Sequence, residues 1–423
     1  MAASLPRRVY RISPTGKAED AEQYQTGGLH PVLLGNTLKE GRYRIIHKLG
    51  FGSFSTVWLA RDTAKERYVA LKIARADFNP NSNELKILRY LAGLDSSDKG
   101  SEFVMRLLDD FIIEGPNGKH QCLVTQVAGP RLSRPAGVNY TILGPARLLA
   151  SQLFQGVSYL HSCNVGHGDL YTGNILMQLD SFDSWSEDDL YACLGQPVQE
   201  KLLRKDGKSL DRCAPPYTVH PGDLSLLEPL FLLSKVLIID FGQAYFLDKP
   251  PPSSTSPSQF SAPENLFRQG VSTATDLWAL GCNTFEICAG YTLFKALFLP
   301  RQDVMQDIVA MLGRFPDRYW KVWEERVQYF DEEGKPKKQA EASLYSSAYP
   351  LYDRIRDMAF LYPADGRCLD TTLRDCTTAL QTCELVQMHD FLSKVFVLDP
   401  ETRITVKDAL EHPFLALVNL SRP

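Results

Sequence analysis

A lysine inside an apolar strand sets the first constraint on the fold. In "RYVALKIA" the branched and aromatic side chains read as a buried strand, and Lys72 lies within it. A buried ammonium is costly without an opposite charge. The next segment, "SNELKILRYLAGL", has helical spacing, with Leu85, Leu88 and Leu91 on one stripe and Asn81, Ser82 or Asn83 as candidate caps. Its Glu84 can supply the missing charge. The chain must then pack this helix against this strand.

Around that pair, "YRIIHKLG", "STVWLARD" and "CLVTQV" read as further short strands, the last ended by Gly129-Pro130. After them, helical spacing dominates: Pro145 to His161, Ser272 to Ala289 and Asp303 to Leu312. The expected class is α+β, a small antiparallel-sheet lobe followed by a larger, mainly helical lobe, with the crossing near 126–132. Residues 1–42 read as a polar extension laid over the fold, 43–128 as the sheet lobe, 129–416 as the helical lobe and 417–423 as a tail. Two stretches interrupt this plan. Residues 181–234 carry an acidic run ("SEDDL") and proline-rich turns, and read as a solvated insertion or a partner-binding element. A second insert falls within about 315–385, where "DEEGKPKKQAEA" reads as an exposed turn or loop.

With 423 residues and 44% hydrophobic content, the chain can bury one large core or two moderate ones. A formal net charge of −4 gives no electrostatic reason to expect direct nucleic-acid binding. Nine scattered cysteines without a CxxC pair read as free thiols of a reducing compartment. The N-terminus lacks the apolar run of a signal peptide, and no stretch reaches the roughly 18 apolar residues of a membrane helix. The expected location is the cytoplasm, the nucleus or both, with no membrane association, and the expected state is a monomer.

Three motifs carry chemistry. "LGFGSFSTVWLA" places Gly50 and Gly52 between two strands, where the backbone can approach a phosphate that a Cβ would obstruct. "HGDLYTGN" sets Asp169 five residues before Asn174. "VLIIDFGQA" delivers Asp240 at the end of an apolar run, as a buried strand presenting a carboxylate should. Each is weak alone; their order, together with Lys72 and Glu84, is specific.

These motifs resemble those of the protein kinases, and the resemblance implies a bilobal fold with ATP and Mg²⁺ held in the cleft between lobes. It implies that Leu49, Gly50, Gly52, Ser53 and Lys72 meet the nucleotide, with Glu84 pairing the lysine. Val57, Ala70 and Leu176 would sandwich the adenine, Gln126 and Ala128 would bond its edge through backbone groups, and Thr125 would stand behind it. Asp169 would accept the proton of the attacking hydroxyl, and Asn174 and Asp240 would hold Mg²⁺. Downstream, "SAPEN" and "TDLWALGCNTFEI" extend the likeness, implying a Glu264–Arg403 ion pair and an Asp276 that holds the catalytic loop through its amides.

Within that family, "GGLHPVLLGNTLKEGRYRIIHKLGFGSFSTVWLARD" and the long insert before Asp240 resemble the SR-protein-specific kinases of the CMGC group, fungal-type members included. The resemblance implies serine/threonine transfer to protein substrates, Arg-Ser-rich splicing factors among them. Two other readings stand beside it. A pseudokinase would lack Lys72, Asp169 or Asp240, and all are present. A small-molecule kinase of the aminoglycoside type shares the HGD loop but not the downstream elements.

The sequence departs from the usual pattern at Gly168 and Tyr171, where protein kinases carry an arginine and a lysine, and at Ser261, where an arginine is usual in the CMGC group. Without an arginine at position 168, a phosphate on Ser253, Ser254, Thr255, Ser256 or Ser258 lacks its usual anchor, unless Lys249 or Arg268 substitutes. The expectation is a kinase competent without activation-segment phosphorylation.

Overall fold

The structure, a computed structural model, describes residues 8–77, 83–95, 97–132, 143–224, 232–295, 300–337, 349–358 and 372–416. The expected caps Asn81 and Ser82, and the tail 417–423, lie outside these. Contacts gather the chain into two units, one of Met1–Asp95, Met105–Pro130 and Met177–Leu233, the other of Ser96–Val104, Arg131–Leu176 and Ser234–Pro423.

The first unit is built on six antiparallel strands: β1 (Thr37–Leu38), β2 (Tyr43–Phe51), β3 (Ser55–Asp62), β4 (Arg67–Ala74), β5 (Leu107–Gly115) and β6 (Gly118–Thr125), in the order β1-β2-β3-β4-β6-β5. Alternation along the strands sorts their side chains onto two faces. Trp58, Ala60, Val69, Leu71, Ile73, Cys122 and Val124 share one face and form its core. Val57, Ala70, Lys72 and Thr125 lie on the other, and the register sets Gly50 opposite Val57, Val57 opposite Lys72 and Ala70 opposite Thr125. Helix α1 (Asn83–Ala92) buries Leu85, Leu88 and Leu91, the expected stripe, and Glu84 with them.

The N-terminal extension and the insert belong to this unit by their contacts. Val32 of the extension and Val219 of the insert join the core on the sheet's apolar face, with Leu34 and Tyr217 packed beside them. The insert folds as a helix (Glu187–Leu194) and two antiparallel strands (Gln199–Lys201 and Tyr217–Val219). Leu190 and Leu194 pack on Ile46, Leu59 and Tyr68. Tyr10, Tyr24 and Leu29 meet Leu202 and Ala214, so extension and insert also share a core of their own.

The sequence division counts 181–234 with the helical lobe, and the described part of it packs instead on the sheet unit. The physical reason is apolar: Leu190, Leu194, Leu202 and Val219 need a partner surface, and the sheet's faces provide it. The acidic run is likewise helical. Ser186 and Asp189 form a reciprocal capping box, placing Glu187, Asp188 and Asp189 in the first turn, where the helix dipole favours negative charge.

The second unit is mainly helical, with α2 (Leu143–Ser162), α3 (Thr273–Ala289), α4 (Pro300–Leu312) and α5 (Thr372–Val395). Ser272 caps α3 by accepting from the Ala274 amide, and Gly290 closes it at φ 77°, a conformation glycine adopts freely. α3 is buried on almost every side, as a central helix must be, and Trp278 stacks on Phe294 within its packing. Among the described residues no helix is long and apolar enough to cross a membrane. Cys122, Cys163, Cys193, Cys213, Cys282 and Cys288 are free thiols.

Candidate functional site

On the sheet unit, the Lys72 ammonium donates to Glu84 Oε1 at 2.6 Å, with the Glu84 side chain only 4% exposed. The ion pair expected from strand and helix spacing is therefore formed. Val57, Ala70 and Thr125 share its face of the sheet, so a ligand touching Lys72 would meet a small, apolar floor. At Gly50 and Gly52 an added Cβ would meet no protein atom within 4 Å, and neither residue has the positive φ that excludes side chains. Protein packing does not require these glycines, which leaves the open space in front of them for a bound group. Leu49 packs with the insert-helix cluster. Ser53 is exposed and Ala128 half-buried. The Gln126 side chain accepts from the Arg106 amide at 3.2 Å, and the Thr125 hydroxyl donates to the Gln126 carbonyl at 3.3 Å.

In the helical unit the loop His167–Asn174 is held by α3. Asp276, almost fully buried, accepts from the backbone amides of His167 and Gly168, both at 2.9 Å, and lies 3.0 Å from His161 Nε2. These bonds hold its carboxyl below the ordinary range against the opposing effect of burial. His167 in turn reaches the Ile239 carbonyl at 3.0 Å, and Asn283 donates to the Leu170 carbonyl at 3.3 Å. Neither histidine was singled out from the sequence. The signal for His161 was its place at the C-terminus of an apolar helix followed by "HGD".

Asn174 donates through Nδ2 to both the carbonyl and Oδ2 of Asp169, each at 3.0 Å. That commits its nitrogen and leaves Oδ1 as the kind of oxygen a hard cation takes. Asp169 Oδ1 is buried without a hydrogen-bond partner. Burial pushes the Asp169 carboxyl above the ordinary range; Ser256, His167 and Asn174 oppose this, and Asp240 adds to it. Asp240 adopts φ 63°, a strained conformation for a residue with a side chain, and its Oδ1 accepts from the Gly242 amide at 3.3 Å. Leu176 is half-buried. Glu264 and Arg403 form the buried pair expected of them, at 2.8 and 3.1 Å, and Arg403 also donates to the Ala274 and Val397 carbonyls.

The two departures acquire physical causes. Gly168 sits at φ 75°, and a Cβ there would lie 2.7 Å from the Gln243 carbonyl oxygen, so neither arginine nor any other side chain fits this backbone. The Tyr171 ring packs beside Phe260, with centroids 5.9 Å apart. It also fills the space a Cβ on Gly173 would need, 2.2 Å from Tyr171 Cε2. Burial, then the charges of Asp169 and Asp240, push the Tyr171 phenol up, so it stays a protonated donor.

Residues 43–183 and 230–415 match the protein kinase domain. The chain belongs to the protein kinase family. It is similar to the serine/threonine-protein kinase SRPK of Physarum polycephalum, 28% identical over 416 residues that cover 94% of this chain and 91% of that one. Protein kinase dsk1 of Schizosaccharomyces pombe is 27% identical over 386 residues, 70% of this chain and 71% of the other. Human SRSF protein kinase 3 is 38% identical over 186 residues, 42% of this chain and 33% of its own. The chain is thus a protein kinase similar to kinases of the SRPK and SRSF type, with the fold class its motifs implied.

Proposed function

We propose that the protein transfers the γ-phosphoryl group of ATP, with Mg²⁺, to serine or threonine of Arg-Ser-rich protein substrates. The observation that carries the catalytic reading is the Asp169 carboxyl: one oxygen held by Asn174, the other buried and without a partner. That free oxygen suits a substrate hydroxyl, whose proton it would accept while the peptide is positioned for attack. The donor set also suits the nucleotide. Lys72 would neutralise α- and β-phosphate charge, and the open backbone at Gly50 and Gly52 would lie along the phosphates. Val57 and Ala70 would meet the adenine from the sheet, and Asn174 and Asp240 offer the oxygens Mg²⁺ prefers. Bound Mg²⁺ would neutralise the charge that develops on the transferring group. The protonated Tyr171 phenol is neutral, so Mg²⁺ would carry the neutralisation that the usual loop lysine shares.

Two measurements check this reading. In thermal-shift assays ATP with Mg²⁺ should stabilise the wild type, and Lys72→Ala should lose most of that shift; equal shifts would remove Lys72 from the site. Asp169→Ala should keep nucleotide binding and lose on the order of 10²-fold or more in turnover; wild-type turnover would refute its role as base.

The substrate class rests on the relatives, two of which carry SR or SRSF kinase names. A positional-scanning peptide library with labelled ATP tests it. Selection of Arg-Ser repeats supports the assignment, and selection of acidic or proline-directed peptides rejects the substrate class while leaving the kinase intact. The protein would act as a monomer in the cytoplasm or nucleus. Because Gly168 cannot offer an arginine to a phosphate, the enzyme would be competent without activation-segment phosphorylation. Phosphatase-treated protein should keep its activity.

A further inference from the structure

The segment before "SAPE" is fastened to the catalytic loop by two serine hydroxyls. Ser254 Oγ donates to the Gly168 carbonyl at 2.5 Å, and Ser256 Oγ donates to the same oxygen at 2.7 Å. The hydroxyls lie 2.9 Å apart, and the Ser256 amide donates to Ser254 Oγ at 3.1 Å. Asn265 closes the arrangement, accepting from the Ser254 amide at 3.1 Å. Ser261 Oγ, donating to the Pro257 carbonyl at 3.2 Å, pins the next turn. The accepting carbonyl belongs to the residue immediately before Asp169, and Ser256 is near enough to the Asp169 carboxyl to favour its ionised form.

Resting on the kinase reading above, we propose that Ser254 and Ser256 form an inhibitory phosphorylation site, with Ser256 the principal acceptor. Both side chains are half-exposed on a surface segment. Ser256 is followed by Pro257, which suits a proline-directed kinase acting from a second molecule. In the step, Ser256 Oγ attacks the γ-phosphorus of that kinase's ATP. The bond from γ-phosphorus to the β,γ-bridging oxygen breaks, the hydroxyl proton passes to the modifying enzyme's base, and ADP leaves.

The consequence follows from donor arithmetic. A phosphorylated Oγ has no proton to donate, so its bond to the Gly168 carbonyl is lost. The phosphate also brings about −1.5 to −2 charges to a place already occupied by that carbonyl oxygen, the Asp169 carboxylate and, through it, Asp240. The usual compensating arginine would have to stand at position 168, where a Cβ collides with Gln243. Phosphate therefore releases the segment instead of ordering it.

The test uses the full chain with phosphoserine encoded at 256, compared with unmodified protein and with phosphoserine encoded at 253. Ser253 is exposed and makes no part of the clasp. Peptide phosphorylation, the ATP·Mg²⁺ thermal shift and amide hydrogen exchange over 249–261 are read on each. Phosphoserine at 256 should lower turnover by about tenfold or more, as loss of a positioned loop does. It should also keep the nucleotide shift and speed exchange over 249–261, with all changes reversed by phosphatase. The protein modified at 253 should match the unmodified one. Activity at 256 equal to or above the unmodified level, with unchanged exchange, would overturn the inference and point to Lys249 or Arg268 as an anchor. If the unmodified chain is itself inactive, the kinase reading fails, and the exchange comparison alone still decides whether phosphate opens the clasp.

Discussion

Tyr171 and Gly173, in the loop that carries the proposed base Asp169, show how two residues of one loop depend on each other. A Cβ at position 173 would penetrate the Tyr171 ring, so the glycine is there for the tyrosine. Gly173→Ala should therefore destabilise the protein by about 1–3 kcal/mol, as overpacking does. The same change in a Tyr171→Lys background should cost much less. A double-mutant cycle on chemical denaturation reads the coupling directly, and additive effects would separate the two residues. A second residue-scale case is Lys48, whose side chain is fully buried with Glu19 as its ionic partner. Burial pulls the Lys48 ammonium down and Glu19 pulls it back up. Glu19→Ala should cost about 3–5 kcal/mol, because it strands a buried charge, whereas removing both partners together should cost less.

At the scale of elements, the extension docks on the β5–β6 hairpin through a histidine pair. His30 and His120 lie with ring centroids 4.8 Å apart, and a Cβ on Gly115 would strike the His30 ring. Burial, then the neighbouring His120, lowers His30 to about 4, and burial lowers His120 and His47 as well. Their folded values lie below the ordinary value of about 6.5, so the unfolded chain binds these protons more readily. The stability they contribute is complete above about pH 6.5 and is lost as pH falls toward the folded values. Denaturation midpoints should drop between pH 7 and pH 5, and His30→Gln should flatten that drop. A midpoint that holds steady over this range would show that the pair is not buried in solution.

For the whole molecule, the described insert is structural, not a solvated excursion. Val219, Tyr217 and Val32 cover an apolar sheet face that holds Trp58, Leu71 and Val124. Excising 181–234 should uncover this face and cost on the order of 2 kcal/mol for each large side chain exposed. Increased dye binding to exposed apolar surface and a lower denaturation midpoint would report it; an unchanged midpoint would return the insert to a purely peripheral role. The same physics explains why Leu190 and Leu194 tie the acidic helix to Ile46 and Leu59, leaving Glu187, Asp188 and Asp189 in its first turn.

What the sequence determined by itself was whatever short-range spacing and period control. Lys72 in an apolar strand and Glu84 in the next helix implied their ion pair, and the apolar run before Asp240 implied a buried strand that ends on a carboxylate. The helical spacing from Ser272 to Ala289 implied its helix. Ser186 and Asp189 carried an equally local cap signal that a reading by charge alone passes over. Tertiary structure decided what depends on segments far apart in the chain meeting. The insert's side of the molecule, the shared core of Tyr10 with Leu202, and the Gly168 carbonyl as acceptor for Ser254 and Ser256 are of this kind. None has a period or a spacing to read, because each is fixed by which apolar surface a distant segment covers and which backbone oxygen that docking leaves without a donor.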